Sequence, residues 1–147
     1  MKYCYDYPRP AVTADIVVLK QKDNRYFVLL IQRKHSPFEG MWAFPGGFLD
    51  MDETLEEAAL RELEEETGVS GVELEQFHTF SAVNRDPRHR TITTVFIGFA
   101  DQNTTKPFAA DDASCAEWFA LDELPPLAFD HNTVMDLVKE KQGFTFL

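Results

Sequence analysis

Apolar and polar positions divide the chain into short units. Ala11 to Leu19 and Tyr26 to Gln32 are rich in Val, Ile and Leu, and the polar stretch Lys20 to Arg25 between them predicts two strands joined by a turn. Trp42-Ala43-Phe44 is a short apolar piece stopped by Pro45-Gly46-Gly47, a brief strand running into a loop. Leu55 to Thr67 contains neither Pro nor Gly. Thr54 and Glu57 have capping-box spacing before it, and Gly68 stands where a left-handed residue ends a helix. Val72 to Val83 and Thr91 to Phe99 predict two longer strands around the polar loop Asn84 to Arg90, and Glu117 to Ala120 one more. After Pro125-Pro126, Asn132 to Gln142 places Val134, Leu137, Val138 and Lys141 near one side of a closing helix. This order predicts an α/β fold, a mixed sheet with helices packed on it. At 147 residues and 44% hydrophobic, the whole chain, 1–147, is expected to form a single domain.

Charge changes this picture in one place. The net charge is −11, which disfavours attraction to nucleic acid or an anionic membrane surface, so neither is expected as a partner. Two cysteines, Cys4 and Cys115, form neither a disulfide framework nor a zinc spacing, and no leader or long apolar run is present; a cytoplasmic protein is the expectation. Asp50 to Glu66 carries nine acidic residues against Arg61 alone, leaving the rest of the chain at −3. Such a run is ordinarily a solvated helix face. Here, however, Glu62 and Glu66 lie within roughly 20° of Leu55 on a helical wheel, beside Ala58, Ala59 and Leu63, with Glu65 at the edge. Carboxylates on the packing side must be paired, protonated or bound to a cation, and Arg61 cannot neutralise three of them. Glu62, Glu65 and Glu66 are hard oxygen donors at i, i+3, i+4, which suits Mg²⁺ or Mn²⁺ better than zinc. Bound cations would let an acidic protein hold a phosphate substrate, polarise phosphorus and lower the pKa of a bound water.

Gly47 to Val69 reads G-x5-E-x7-R-E-U-x-E-E-x-G-U, with U aliphatic: Gly47, Glu53, Arg61-Glu62-Leu63, Glu65-Glu66, Gly68, Val69. Every fixed position matches, and the segment resembles an intact Nudix box. The resemblance implies a Nudix α/β/α sandwich with a mixed β-sheet. It also implies hydrolysis of a diphosphate linkage in a nucleoside derivative, and two or three Mg²⁺ or Mn²⁺ ions held by Glu62, Glu65, Glu66 and the carbonyl of Gly46. Glu53 would assist the metal site and Arg61 would orient the glutamates; a surface salt bridge from Arg61 to Glu57 or Glu65 is the competing identity. Gly46 and Gly47 would serve a tight loop and close backbone approach.

Outside the box, Tyr7 to Asp15, Arg33-Lys34 through Pro37-Phe38-Glu39-Gly40 to Trp42-Ala43-Phe44-Pro45, Asn84 to Arg90 and Leu127 to His131 are similar to ADP-ribose pyrophosphatases and to Nudix-type repressors of NAD metabolism. The substrate so implied is ADP-ribose, giving AMP and ribose 5-phosphate. Modified nucleoside triphosphates, or a non-catalytic ADP-ribose sensor, are the alternatives. The repressors' DNA-binding domain has no counterpart before the chain stops at Leu147, so direct DNA binding is not expected. Dimers are common among such hydrolases, which makes a homodimer an expectation the sequence itself leaves open.

Arg33, Arg85, Arg88 and Arg90 are the guanidinium groups available to the substrate, with an exposed loop arginine as the competing identity for each. Phe48 is an aromatic candidate for stacking on adenine, whereas Trp42 and Phe44 are expected in packing. His89 and His131 are weak candidates for a general base. That role is open among Glu53, the box glutamates, Asp111 and Asp112, the last two being equally suited to capping a turn.

Overall fold

The computed structural model describes residues 2–107 and 113–143. Asp111 and Asp112 lie outside the described residues. In chain order the elements are β1 (Ala11–Lys22), β2 (Arg25–Arg33), β3 (Trp42–Ala43), β4 (Gly46–Phe48), α1 (Leu55–Thr67), β5 (Glu75–Phe80), β6 (Thr91–Phe99), β7 (Ala113–Ala120) and α2 (His131–Gln142). One mixed sheet runs β3-β2-β1-β6-β5, with β4 also on β1 and β7 on β2; β1 and β6 are parallel and every other pair is antiparallel.

β1 is the centre, and its run from Ile16 to Leu19 is fully buried, as expected of a strand covered on both faces. Alternation sorts its side chains between two cores. Ala14, Ile16 and Val18 pack with Ala58, Ala59 and Leu63 of α1, while Val17 and Leu19 pack with Val134, Met135 and Val138 of α2. The two helices therefore cover opposite faces of the sheet, the sandwich that the pattern and the family resemblance imply.

β1 and β2 continue through the polar stretch predicted as a turn, to Lys22 and from Arg25, because Asp23 and Asn24 both take positive φ (53° and 63°). A two-residue hairpin of that kind matches the twist of its strands. Beyond that hairpin β1 and β2 diverge. β3 pairs with β2 through Ile31↔Ala43 and Gln32↔Trp42, and β4 pairs with β1 through Thr13↔Phe48, Ala14↔Gly47 and Asp15↔Gly46. The segment predicted as a Pro-Gly-Gly loop is thus a short strand, and Phe44-Pro45 bridges the fork between β1 and β2.

α1 begins and ends where the sequence placed it. Glu57 N–H donates to Thr54 Oγ1 (3.1 Å), Thr54 N–H donates to Glu57 Oε1 (2.9 Å), and Gly68 at φ 72° donates its N–H to the Glu64 carbonyl (2.8 Å). β5 is shorter than predicted: Val72 is buried against the α1 core, but the ladder to β6 begins only at Glu75 and stops at Phe80. On α2 the buried residues are His131, Val134, Met135 and Val138; Lys141 is exposed, so the buried stripe takes in His131 and Met135 in place of the expected Leu137 and Lys141. Among the described residues no helix is long and apolar enough to cross a membrane.

Candidate active site

α1 presents its glutamates toward β4. Gly46 N–H donates to Glu66 Oε1 (2.8 Å), and a Cβ on Gly47 would collide with the Glu62 carboxylate. Neither glycine has a positive φ, since the positive-φ glycines among the described residues are Gly40, Gly68, Gly71 and Gly143. Gly46 and Gly47 are therefore required for the space a side chain would fill, not for the tight loop the sequence suggested.

Arg61 is the organising cation. Its Nε donates to Glu53 Oε2 (2.9 Å) and its Nη2 to Glu53 Oε1 (2.5 Å), a two-pronged pair; Nη1 donates to Glu62 Oε1 (2.8 Å) and at 3.3 Å to Glu65 Oε2. Nη2 also reaches the Phe48 carbonyl (3.1 Å), which ties the helix to the end of β4. The contact to Glu65 is the longest of these, so the surface i, i+4 bridge is the least part of what Arg61 does. Arg61 holds the Glu53 carboxyl down to about 2, with the Asp50 N–H assisting. Burial instead pushes Glu62 up, against the opposing pull of Arg61. A carboxylate that is desolvated and only partly compensated is one that a hard cation would relieve.

Among the described residues no ready-made cluster of three metal-ligating side chains is present, because Glu62 faces Arg61 and Glu66 faces the Gly46 N–H. The residues nonetheless fit divalent ions. Glu62, Glu65 and Glu66 offer oxygen donors from one helix, and the Gly47 cradle leaves room for no side chain against Glu62. Gly46 occupies a non-hydrogen-bonded position opposite Asp15, since the ladder bonds Ile16 N–H to Pro45 O and Leu49 N–H to Val12 O (2.8 and 2.9 Å) set that register. A strand residue's N–H and C=O point to the same side, so the Gly46 carbonyl opens, like its N–H, away from β1 toward α1.

The glutamates share their cleft with cations. A cleft of about 430 Å³ is lined by Glu62, Glu66 and Asp50 together with Arg33, Lys34, His35 and Arg88, and by Gly46, Gly47 and Phe48. It continues into a narrow recess of about 100 Å³ that reaches Thr13, Asp15, Phe129 and His131. Arg33 donates its Nε to the Pro37 carbonyl (2.7 Å) and lies over the Phe129 ring at 4.9 Å; among the described residues no carboxylate lies within ion-pair range of it. Arg88 is oriented by Asp86 through Nε and Nη2 (3.1 and 2.8 Å) and sits between Phe48 and Phe129, 5.3 Å from each ring centre. Phe48 is 41% exposed, open enough to offer a face to a ring. A larger groove, about 660 Å³, lies between α1 and β5–β6, but its charged lining is Glu56, Glu73 and Glu75 alone, which suits no phosphate.

Two of the four expected arginines are taken up by the protein. Arg85 is buried and two-pronged on Asp130 (2.9 and 2.7 Å), tying the loop before β6 to the start of α2. Arg90 donates to the Ser81 and Ala82 carbonyls (2.8 and 3.3 Å) and latches the end of β5. Trp42 packs edge-on against Phe119 and Phe44 is 2% exposed, as expected of packing aromatics. His131 is buried and burial lowers its pKa, so it is neutral, and its Nδ1 accepts from Phe44 N–H (3.1 Å). His89 is exposed, its Nδ1 2.9 Å from Thr91 Oγ1. Sequence reasoning passed over Asp15, Asp86 and Phe129 as cleft residues. Asp15 alone left a signal, as the single charge in the apolar run Ala11 to Leu19.

Comparisons with known proteins agree with this geometry. A protein of Methanocaldococcus jannaschii described as an ADP-ribose pyrophosphatase is 44% identical over 138 residues, 93% of this chain and 78% of that one. The NUDIX domain of Shewanella oneidensis NrtR, solved in complex with ADP ribose, superposes with a TM-score of 0.84 at 33% identity, covering 94% of each chain. A Francisella tularensis bifunctional NMN adenylyltransferase/ADP ribose pyrophosphatase, solved with AMP and a Mn ion, gives a TM-score of 0.78 at 30% identity over 93% of this chain and 43% of that longer one. The NUDIX domain family matches residues 9–138, which take in every named strand, α1 and α2 as far as Val138, and the chain belongs to that family.

Proposed function

We propose that this protein hydrolyses the diphosphate linkage of ADP-ribose to AMP and ribose 5-phosphate. The observation that carries the reading is the two-signed cleft, lined by packing-side glutamates and by Arg33, Lys34 and Arg88 together. The named relative of M. jannaschii and the ADP ribose complex of the NrtR domain support the choice of substrate. Glu62, Glu65, Glu66 and the Gly46 carbonyl would hold two or three Mg²⁺ or Mn²⁺ ions. When bound, these supply Lewis-acid polarisation of the phosphoryl oxygens and a water activated for attack.

The chain's own residues prepare that reaction. Arg61 keeps Glu53 ionised and holds Glu62 and Glu65 in reach of one another, so the helix's oxygen donors are oriented before substrate arrives. Arg88, braced by Asp86, and Arg33 line the same cleft and would meet the diphosphate and its ribose there. Phe48, beside Arg88, is the platform for the adenine ring. Arg85 and Arg90 act by holding the loop between β5 and β6 in place. The same reading takes a small-molecule nucleotide as the partner and the cytoplasm as the expected location.

Purified protein with Mg²⁺ or Mn²⁺ should release AMP from ADP-ribose, and Glu65→Gln should abolish turnover with the far-ultraviolet circular dichroism unchanged. Absence of AMP, with cleavage of NADH, dinucleoside polyphosphates or oxidised nucleoside triphosphates instead, would reassign the substrate. Cleavage of none of them would refute hydrolysis.

A further inference from the structure

In the recess of the cleft, Asp15 of β1 and His131 of α2 meet without belonging to the metal ligands or the arginines. The Asp15 carboxylate accepts from Thr93 Oγ1 (2.8 Å) through Oδ2, which is also 3.8 Å from His131 Nε2. His131 Nδ1 accepts from Phe44 N–H, so the ring proton sits on Nε2 and points its dipole at Asp15. The other carboxylate oxygen, Oδ1, lies under Gly46, where any Cβ would strike it.

The link from β3 to β4 shows what this arrangement does. Phe44 lies past the end of β3 and before the start of β4, so its buried N–H has no ladder partner and depends on His131. Pro45 has no N–H, and its carbonyl is taken by Ile16 N–H. Gly46 gives its N–H to Glu66. Three successive residues are thereby fastened to α2, β1 and α1 in turn, and His131 is the tether to α2 among the described residues. A buried donor that loses its acceptor is costly, and the link would move to satisfy it, carrying Gly46 with it. Close approach at the Asp15↔Gly46 position sets the remaining coordinate, because facing residues at a non-hydrogen-bonded site come nearest to each other.

We propose that Asp15 and His131 are a positioning pair for the Gly46 carbonyl: they hold the Phe44-Pro45-Gly46 link so that this oxygen faces the α1 glutamates. The inference rests on the reading of Gly46 as a metal ligand. It concerns residues outside the box, and it assigns His131 a task as a neutral acceptor, not as a base.

Three variants of the full chain separate the bonds. His131→Asn keeps an oxygen where Nδ1 stands and so retains the Phe44 bond; His131→Gln carries its amide one carbon further, to the Asp15 end; His131→Leu removes both. The readout is Mn²⁺ affinity, followed by the paramagnetic resonance signal of free Mn²⁺, with kcat and KM for ADP-ribose as a second measure and circular dichroism as the check on folding. His131→Asn should bind Mn²⁺ within about threefold of the parent, whereas His131→Gln and His131→Leu should lose roughly tenfold or more, as outer groups that orient metal ligands do. kcat should fall with metal affinity while KM moves little. Folded His131→Leu with parental affinity would overturn the proposal. If that variant does not fold, equal affinities for the Asn and Gln forms would do so. Should the parent bind Mn²⁺ no better than Glu65→Gln, the metal reading itself falls, and the positioning role falls with it by a separately recognisable route.

Discussion

Replacing Arg85 with methionine distinguishes a structural arginine from one that binds substrate. Its side chain is 4% exposed, that of Asp130 19%, and two hydrogen bonds join them. Methionine fills much of the same volume but leaves the carboxylate without its partner. Breaking a buried pair by removing one side costs about 3–5 kcal/mol. Because Asp130 keeps some contact with water, the lower end applies, about 3 kcal/mol. For a domain of this size each kcal/mol moves the melting midpoint by about 2–4 °C, so a fall of roughly 6–12 °C is expected in a thermal unfolding scan. Below that transition, KM for ADP-ribose should stay within about threefold of the parent, since no substrate contact has been removed. Arg85→Met combined with Asp130→Leu should recover a large part of the lost stability, as the stranded charge is gone. A midpoint lowered by less than about 2 °C together with a KM raised about tenfold would refute the assignment and return Arg85 to the substrate.

Thr54→Ala removes the side-chain half of the α1 capping box and should cost about 1 kcal/mol, seen as a melting midpoint lowered by about 2–4 °C. The Glu53 pKa, held near 2, is below that of an unfolded glutamate, so its contribution to stability is present above about pH 4 and is lost as pH falls through 2. Denaturant titrations of Glu53→Gln should therefore show a shallower acid limb than the parent. Glu62 is shifted the opposite way: its folded form prefers the proton, so it destabilises as pH rises through its folded pKa. Metal-free Glu62→Gln should then melt higher than the parent at pH 8 while binding Mn²⁺ more weakly, and a lower melting point would count against burial as the dominant influence on Glu62. Chelation should end turnover but leave the circular dichroism spectrum intact, since the two cores contain no metal ligand among their buried residues.

What could be read from the sequence follows the range of the interactions involved. α1 was legible to the residue because its signals are local: the Thr54–Glu57 box, an interior free of Pro and Gly, and Gly68. The turn at Asp23-Asn24 was blurred, since polar residues that continue two strands resemble a loop until their positive φ values are known. β4 was missed because glycines have little intrinsic tendency to form strands; its pairing comes from β1, far away in the chain. β5 was overextended because Val72 is apolar for the sake of the α1 core and not for a ladder. In the site, the metal-facing glutamates could be picked out by helical phase. The arginines could not be sorted, because sequence counts guanidinium groups but does not show that Asp130 claims Arg85 or that two backbone carbonyls claim Arg90. The Asp15–His131 pair joins the first strand to the last helix, and no local spacing announces it.

The paired glycines of β4 also bear on transplanting sequence into this fold. At that point the protein is a single backbone thick, with the Asp15 carboxylate pressed against one side and the Glu62 carboxylate against the other. Each gap belongs to a different partner: 46 is closed by the backbone of β1 together with Asp15, and 47 by the Glu62 carboxylate. At 46 no change of the Asp15 side chain makes room for a methyl, because the Ala14 carbonyl and the Asp15 Cα would still stand 2.5 and 2.9 Å from it. At 47 it can be made only by moving a glutamate of the box. A loop grafted here from another protein must carry both gaps in the same order, and one that carries only the flexibility of Pro-Gly-Gly would close the floor of the cleft.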